Sequence, residues 1–150
     1  MPNSGHWTGL CKYYSIYEHF DSYGVMPDTE LHWISPKMRE SLHEKVPYLS
    51  RLLNKKPYLH NTVRYQSEEH SVNTCGSHVS HRLYRLKNDG MTLKDYHDYM
   101  RELRKDTQRS YDYIVADWVK KVYWVKDVCL MMLLVESLNI FNFICLVVQY

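Results

Sequence analysis

The sequence predicts a single domain that combines β-strands near the N-terminus with helices in its second half. The chain has 150 residues, which is the usual length of one domain. Residues 6–20 are rich in aromatic and other strand-favouring side chains. From Val79 onward, apolar residues recur at helical spacing. Hydrophobic residues make up 45% and charged residues 24%, a balance that excludes a disordered chain.

Turn residues and apolar spacing divide the chain into elements. We expect strands over residues 6–13, 14–20 and 62–65. Short helices are expected from Ser35-Pro36, where serine is a candidate N-cap, and over residues 48–53. Residues 67–74 form a polar loop.

Three longer helices are expected in the second half. The first follows Cys75, carries Val79, Leu83 and Leu86 on one face, and ends at Asn88-Asp89-Gly90. Thr92 is a candidate N-cap for the second helix. Ser110 opens the third.

Charge and cysteine content narrow the functional class. The formal net charge of +2 argues against a nucleic-acid binder driven by electrostatics, so no specific nucleic-acid partner is expected. The four cysteines, at positions 11, 75, 129 and 145, fit no tight disulfide framework. No N-terminal signal peptide is recognisable. A reducing, intracellular setting follows as the expectation.

The last 23 residues differ from the rest of the chain. Residues 128–150 are strongly apolar, and Glu136 is their one acidic side chain. The segment is long enough to span a bilayer or to contact a membrane as a helix. A buried core helix and an extension that lies outside the domain are equally open interpretations. We therefore expect a domain over residues 1–127 followed by a hydrophobic tail, 128–150.

Four residues carry the side chains of a cysteine hydrolase, in the chain order His6, Asp21, Gln66, Cys75. Such enzymes need a thiolate, a histidine that moves protons, a group that orients the histidine, and donors for the oxyanion. Cys75 stands at the expected start of a helix, where the helix dipole favours a thiolate. Gly76 leaves room for another chain to approach. On spacing alone, a small core cysteine and a surface histidine remain the simpler interpretation.

A zinc module is a weaker alternative. His70, Cys75, His78 and His81 are residue types that bind zinc, and the last three follow one another at intervals of three. On a helix, however, this spacing drifts around the axis, and no second cysteine pair supports the site. We therefore expect no metal and no other cofactor.

The motifs Gly5-His6-Trp7, Phe20-Asp21-Ser22-Tyr23-Gly24, Tyr65-Gln66 and Asn73-Thr74-Cys75-Gly76-Ser77-His78-Val79 resemble those of the adenain-like cysteine proteases. That group includes the adenovirus proteinase and its relatives in Polinton-type mobile elements and large DNA viruses. The ubiquitin-like-protein proteases share the same plan. The resemblance covers residues 5–79.

The resemblance implies a role for each matching residue. His6 looks like the general base, Asp21 like the residue that orients it, and Cys75 like the nucleophile. Gln66 looks like the side chain of the oxyanion hole. Trp7 resembles the aromatic residue that lines a narrow substrate channel, beside Gly76. An α+β, papain-like fold of the adenain type, with a mixed sheet packed on the nucleophile helix, is also implied.

The function implied is that of a thiol endopeptidase cleaving after glycine-type residues and maturing viral or mobile-element structural proteins. Its partners would be protein or peptide substrates, in the nucleus or cytoplasm of a host cell or in a virion. A deconjugating protease for ubiquitin-like modifiers and an inactive remnant that only binds partners are the alternatives. Family members carry a longer segment ahead of the histidine. We therefore expect the domain to be N-terminally short and the His6 strand to have one unpaired edge.

Overall fold

A four-stranded mixed sheet forms the centre of the fold, in the strand order β3-β2-β1-β4. The computed structural model describes residues 6–41, 43, 45–69, 71–124 and 144–149. The strands are β1 (Trp7–Tyr13), β2 (Ile16–Asp21), β3 (Tyr58–His60) and β4 (Ile144–Gln149). The helices are α1 (Pro36–Ser41), α2 (Tyr48–Leu53), α3 (Cys75–Asp89), α4 (Leu93–Thr107) and α5 (Tyr111–Trp124), with a 3₁₀ helix at Thr29–His32. The α+β class predicted from the sequence is confirmed.

The hairpin of β1 and β2 brings two of the predicted site residues to the same end of the sheet. Its two-residue turn, Tyr14-Ser15, places Tyr14 at φ 52°, and the antiparallel register pairs Thr8 with Asp21. His6 therefore lies just beyond the end of β1, beside the last residue of β2. The expected strands at 6–13 and 14–20 thus correspond to β1 and β2 within about two residues.

The other edge of β1 is paired as well. Ile144–Gln149 run antiparallel to it, with Trp7 opposite Gln149 and Lys12 opposite Ile144. The expectation of an unpaired edge beside His6 is therefore wrong. Six residues of the apolar tail form a strand of this sheet, while residues 128–143 lie outside the described residues. Among the helices that the structure describes, none is both long and apolar enough to cross a membrane.

The third strand was predicted at the wrong place. β3 is Tyr58–His60, parallel to β2, whereas residues 62–65 are irregular. The ladder stops at Asn61, whose side chain bonds to the backbone of Asp21 in place of a continuing strand. Beyond it, the backbone N–H groups of Tyr65 and Gln66 both donate to the carbonyl of Ser22. The Asn61 side chain and two backbone bonds to one carbonyl therefore replace regular strand pairing along this stretch.

Helix α3 packs across β1 and β2. The position of a Cβ on Gly9 would be 3.2 Å from Val79 Cγ1, so the small residue on β1 allows the helix to approach closely. Arg82 on α3 donates two hydrogen bonds of 2.7 Å to the carboxylate of Glu18 on β2, and both side chains are fully buried. This bidentate ion pair fixes the helix against the strand that ends at Asp21.

The helical half of the chain follows the sequence expectations. Gly90 ends α3 in the left-handed conformation (φ 64°). Thr92 and Asp95 form a capping box at the start of α4. The core lies between these helices and the sheet, and its buried members are Phe20, Tyr65, Val79, Leu93, Tyr96, Met100 and Val115.

Candidate active site

His6 and Asp21 form a buried pair at the end of the β1–β2 hairpin. His6 Nε2 lies 2.5 Å from Asp21 Oδ2, and the two residues are 7% and 0% exposed. The contact at Nε2 fixes the ring and leaves Nδ1 as the nitrogen that is free to serve another group. The Asp21 carboxylate accepts a second bond, 2.7 Å, from the backbone N–H of Tyr23.

Cys75 is the first residue of the 15-residue helix α3 and is 2% exposed. Burial raises the pKa of its thiol, but hydrogen bonds from His6 and from the backbone N–H groups of Trp7 and Gly76 more than offset this, so the pKa lies below its usual value. The thiol also lies 3.7 Å from Asn73 Oδ1. The side chains of His6, Asp21 and Cys75 thus meet, although 54 residues separate Asp21 from Cys75 in the chain.

The pKa of His6 is displaced in the opposite direction. Burial lowers the pKa of the imidazole, but hydrogen bonds with Asp21 and Cys75 raise it more, to about 9. A histidine that keeps its proton and a cysteine that loses its proton easily favour an imidazolium–thiolate pair near neutral pH. This is the ionisation state in which a cysteine is a strong nucleophile.

Three aromatic side chains surround this pair. Tyr23 stacks on the His6 ring at 5.0 Å between centroids, and Trp33 meets it edge-on at 5.5 Å. The ring of Trp7 faces Gly76, where an added Cβ would lie 3.8 Å from it. An alanine at position 76 would therefore fit the resting structure, so the fold itself does not require this glycine.

Gln66 is 3% exposed and held from two sides. Its Oε1 accepts a 2.7 Å hydrogen bond from Ser22 Oγ, and its Nε2 donates to the carbonyl of Val72 at 3.2 Å. The side chain thereby links the turn after Asp21 to the loop that leads into Cys75. One Nε2 hydrogen remains for a further acceptor.

The start of α3 is anchored to α5 through Asp112. Its carboxylate accepts hydrogen bonds from the Thr74 hydroxyl and from the backbone N–H of Ser67 (3.0 Å), and lies 3.0 Å from His78 Nε2. Asp112 thus fixes both the residue before Cys75 and the first turn of its helix. No sequence pattern points to this role, because an aspartate at the start of a helix is common on protein surfaces.

The compact Cys/His motif does not assemble. His78 bonds to Asp112 and His81 to the hydroxyl of Tyr96 (2.9 Å), so within the described residues neither approaches Cys75 as a fellow ligand. His70, the remaining member of that hypothesis, lies outside the described residues. The helical drift of the 75-78-81 spacing accounts for the separation.

A different trio is compact. In the described part of the chain, His6, Asp21 and Glu30 are the group whose histidine and carboxylate atoms all lie within 4.8 Å of one another. Two ligands of one zinc ion lie roughly 3 Å apart, because each ligand bond is about 2 Å long. His6 Nε2 and Asp21 Oδ2, at 2.5 Å, are closer than that. The His6–Asp21 distance is therefore that of a hydrogen bond, and Glu30 lies beside this bonded pair.

Four residues of this region were missed in the sequence: Tyr23, Glu30, Trp33 and Asn61. Each lies in an irregular segment or a one-turn helix, where no periodicity marks an inward-facing side chain. Tyr23 alone had a signal, since it lies inside the Phe20–Gly24 motif.

The chain is similar to a distant relative of viral origin. Over 101 residues, 65% of this chain, the sequence is 37% identical to uncharacterized protein V9 of Sputnik virophage. The chain spans 58% of the length of that relative. No model of a known protein family matches the sequence. No solved structure matches it either.

Proposed function

We propose that this protein is a cysteine-type peptidase of the adenain-like group, with the papain-like fold that this group has. The observation that carries the proposal is the position of His6. It is buried between the carboxylate of Asp21, at 2.5 Å, and the thiol of Cys75 at the N-terminus of α3. Pairing of this kind activates a thiol, and a buried His–Asp pair beside a cysteine is otherwise costly to maintain.

Each residue then has a chemical role. The Cys75 thiolate attacks the carbonyl carbon of the scissile bond, and the negative charge moves to the carbonyl oxygen. The backbone N–H of Cys75 and the free hydrogen of Gln66 Nε2 stabilise this oxyanion. His6 donates its proton to the leaving amine as the C–N bond breaks, which leaves a thioester. His6, held by Asp21, then takes a proton from water as the water oxygen attacks the thioester carbonyl. The C–S bond breaks, which releases the carboxylic acid product and regenerates the thiolate.

Trp7 and Gly76 support a preference for small residues before the scissile bond. The indole ring faces a residue without a side chain, next to the thiol, and an alanine there would fit the protein itself. A glycine that the fold does not need is explained if substrate backbone passes through that space. Tyr23 and Trp33 would bound the cleft on the other side of His6.

The virophage relative supports a viral setting, in which such an enzyme would mature structural proteins inside the host cell. The activity and the substrates remain part of the proposal, since the similarity covers 58% of the relative.

The test is hydrolysis of peptides that differ only in the residue before the scissile bond: glycine, alanine or leucine. Wild-type protein should cleave the glycine peptide at least tenfold faster than the leucine peptide, and Cys75→Ser should abolish cleavage. Ser41→Ala, at an exposed position on α1, is the matched control and should keep full activity. Cleavage that survives Cys75→Ser would overturn the proposal. Ubiquitin-like conjugates in the same panel distinguish deconjugation from endopeptidase activity.

A further inference from the structure

Glu30 places a third ionisable side chain beside the His6–Asp21 pair. It lies in the 3₁₀ helix Thr29–His32 and is 2% exposed. One of its carboxyl oxygens lies within 4.8 Å of a ring nitrogen of His6 and of a carboxyl oxygen of Asp21. Neither oxygen has a hydrogen-bond partner of good geometry among the described residues. A buried, unpartnered carboxyl group pointing at a buried aspartate needs an explanation, because either charge alone is costly to bury.

The surrounding charges decide which carboxyl group is ionised. A negative charge is better stabilised on Asp21 than on Glu30, because Asp21 bonds to His6 and accepts a hydrogen bond from the Tyr23 N–H. His19, from β2, is fully buried, and burial lowers its pKa to about 4, so it brings no positive charge. The carboxylate of Asp28, just ahead of Glu30, accepts a 2.6 Å bond from the backbone N–H of Ser50. His6 is the positive charge that these described side chains place near both carboxyl groups, and it is bonded to Asp21, so Glu30 is the one that keeps a proton.

We infer that Glu30 is a positioning residue, which in its neutral form donates its proton to Asp21 in a hydrogen bond and so holds the carboxylate that orients His6. This inference rests on the proposed peptidase function and deepens it. When Glu30 loses its proton, two buried carboxylates face each other, and Asp21 is pushed away from its position against His6.

The Glu30 carboxyl group ionises near neutral pH. Burial, followed by the neighbouring charge of Asp21, raises the pKa of Glu30 to about 7. The neutral fraction of Glu30 therefore falls as pH rises through neutrality, and about one tenth remains one pH unit above the pKa. His6, whose pKa is raised to about 9, still carries its proton there. Glu30, and not His6, should therefore set the upper pH limit of activity.

The test compares wild-type protein with Glu30→Gln, whose amide keeps a donor toward Asp21 but never ionises. The exposed Glu102→Gln on α4 is the matched control. Two pH profiles are measured between pH 5 and 9.5: hydrolysis of the glycine peptide, and the rate of Cys75 alkylation by iodoacetamide, which needs no substrate. Carbon-13 NMR of the Glu30 carboxyl group in wild-type protein gives its titration without any substitution.

Wild type and Glu102→Gln should lose roughly 15-fold in hydrolysis between pH 7 and pH 8.5, while Glu30→Gln should keep its rate up to about pH 9. The Glu30 carboxyl signal should titrate near neutral pH. Identical hydrolysis profiles for wild type and Glu30→Gln, or a Glu30 signal that titrates below pH 5, would overturn the inference while leaving the peptidase intact. No hydrolysis by wild type, with Cys75 alkylated no faster than an ordinary thiol, would instead remove the proposed function.

Discussion

The side chain of Asn61 holds both backbone hydrogen-bonding groups of Asp21. Asn61 Oδ1 accepts from the Asp21 N–H at 2.8 Å, and Asn61 Nδ2 donates to the Asp21 carbonyl at 2.7 Å and to the Val63 carbonyl at 3.0 Å. Asn61 is fully buried. An amide thus takes the place of the next strand residue at the point where β2 ends, and it fixes the backbone that carries the His6 partner.

Asn61→Ala should therefore destabilise the protein. Losing three buried hydrogen bonds and leaving backbone groups unsatisfied should cost about 3 kcal/mol in the free energy of unfolding. Asn88→Ala, which removes one bond from an exposed asparagine, is the control and should cost less than about 1 kcal/mol. Urea unfolding measures both. Equal losses for the two variants would show that the Asn61 contacts contribute little.

Substitutions at Gln66 and Ser22 should separate the proposed role of Gln66 as an oxyanion donor from the hydrogen bond that holds its side chain. Gln66→Glu keeps an acceptor for Ser22 Oγ but removes the donor, so kcat should fall by at least 100-fold, about 3 kcal/mol in transition-state stabilisation, with KM nearly unchanged. Ser22→Ala keeps the donor and should cost much less. Steady-state kinetics on the glycine peptide measure both values. A Gln66→Glu enzyme with normal kcat would place the oxyanion elsewhere.

Two glycines with positive φ should respond differently to alanine. Gly24 has φ +73°, and an added Cβ would lie 2.9 Å from the backbone of Val63, whereas Gly90, at φ +64°, has open space around it. Gly24→Ala should cost about 3 kcal/mol, from strain and from displacement of the chain next to Asp21. Gly90→Ala should cost about 1 kcal/mol, from strain alone. Thermal unfolding gives the comparison, and a larger loss at Gly90 would contradict it.

His19 should make the protein sensitive to acid. Its ring is fully buried, neither nitrogen has a hydrogen-bond partner among the described residues, and burial lowers its pKa from 6.5 to about 4. Between pH 6.5 and pH 4, the His19 imidazole therefore binds a proton in the unfolded chain but not in the folded chain. Its contribution to the free energy of unfolding falls as pH falls through that window. The loss is on the order of 3 kcal/mol.

His19→Met, an apolar side chain of comparable volume, should flatten the dependence of unfolding free energy on pH in this window. His32→Gln, at an exposed position, is the control and should leave it unchanged. In His19→Met, the lowered pKa of His81, about 3, and the raised pKa of Glu30, about 7, act in opposite directions in this window, so little dependence should remain. A His19→Met profile that parallels the wild type would contradict the assignment.

The sequence predicted the elements with strong local signals and missed those fixed by distant contacts. Helix ends can be predicted where local residues form a cap. Gly90 ends α3, and Thr92 with Asp95 begins α4, so these bounds could be predicted from the sequence. Residues 62–65 look like a strand, but the Asn61 side chain ends the ladder before them, which no local pattern reveals. Pairing of β1 with Ile144–Gln149 joins residues more than 130 positions apart.

The candidate site likewise contains residues that the sequence identified and residues that only the structure shows. His6, Asp21 and Cys75 could be grouped from the sequence through the motifs that resemble the adenain-like proteases, and the structure brings their side chains together. Glu30 and Asp112 could not be identified from the sequence, because an isolated acidic residue in a turn or at the start of a helix is usually a solvated surface group. Their roles depend on burial and on partners that only the folded chain provides.

The most direct test of the central claim is the reactivity of Cys75 toward limiting iodoacetamide at pH 7, read by peptide mass mapping. In wild-type protein Cys75 should be alkylated well ahead of Cys11, Cys129 and Cys145, because His6 and the start of α3 stabilise its thiolate. His6→Ala should slow alkylation of Cys75 at least tenfold and leave the other three unchanged. Equal labelling of all four cysteines in the folded protein, or a Cys75 rate indifferent to His6→Ala, would contradict the claim that these residues form an activated nucleophile.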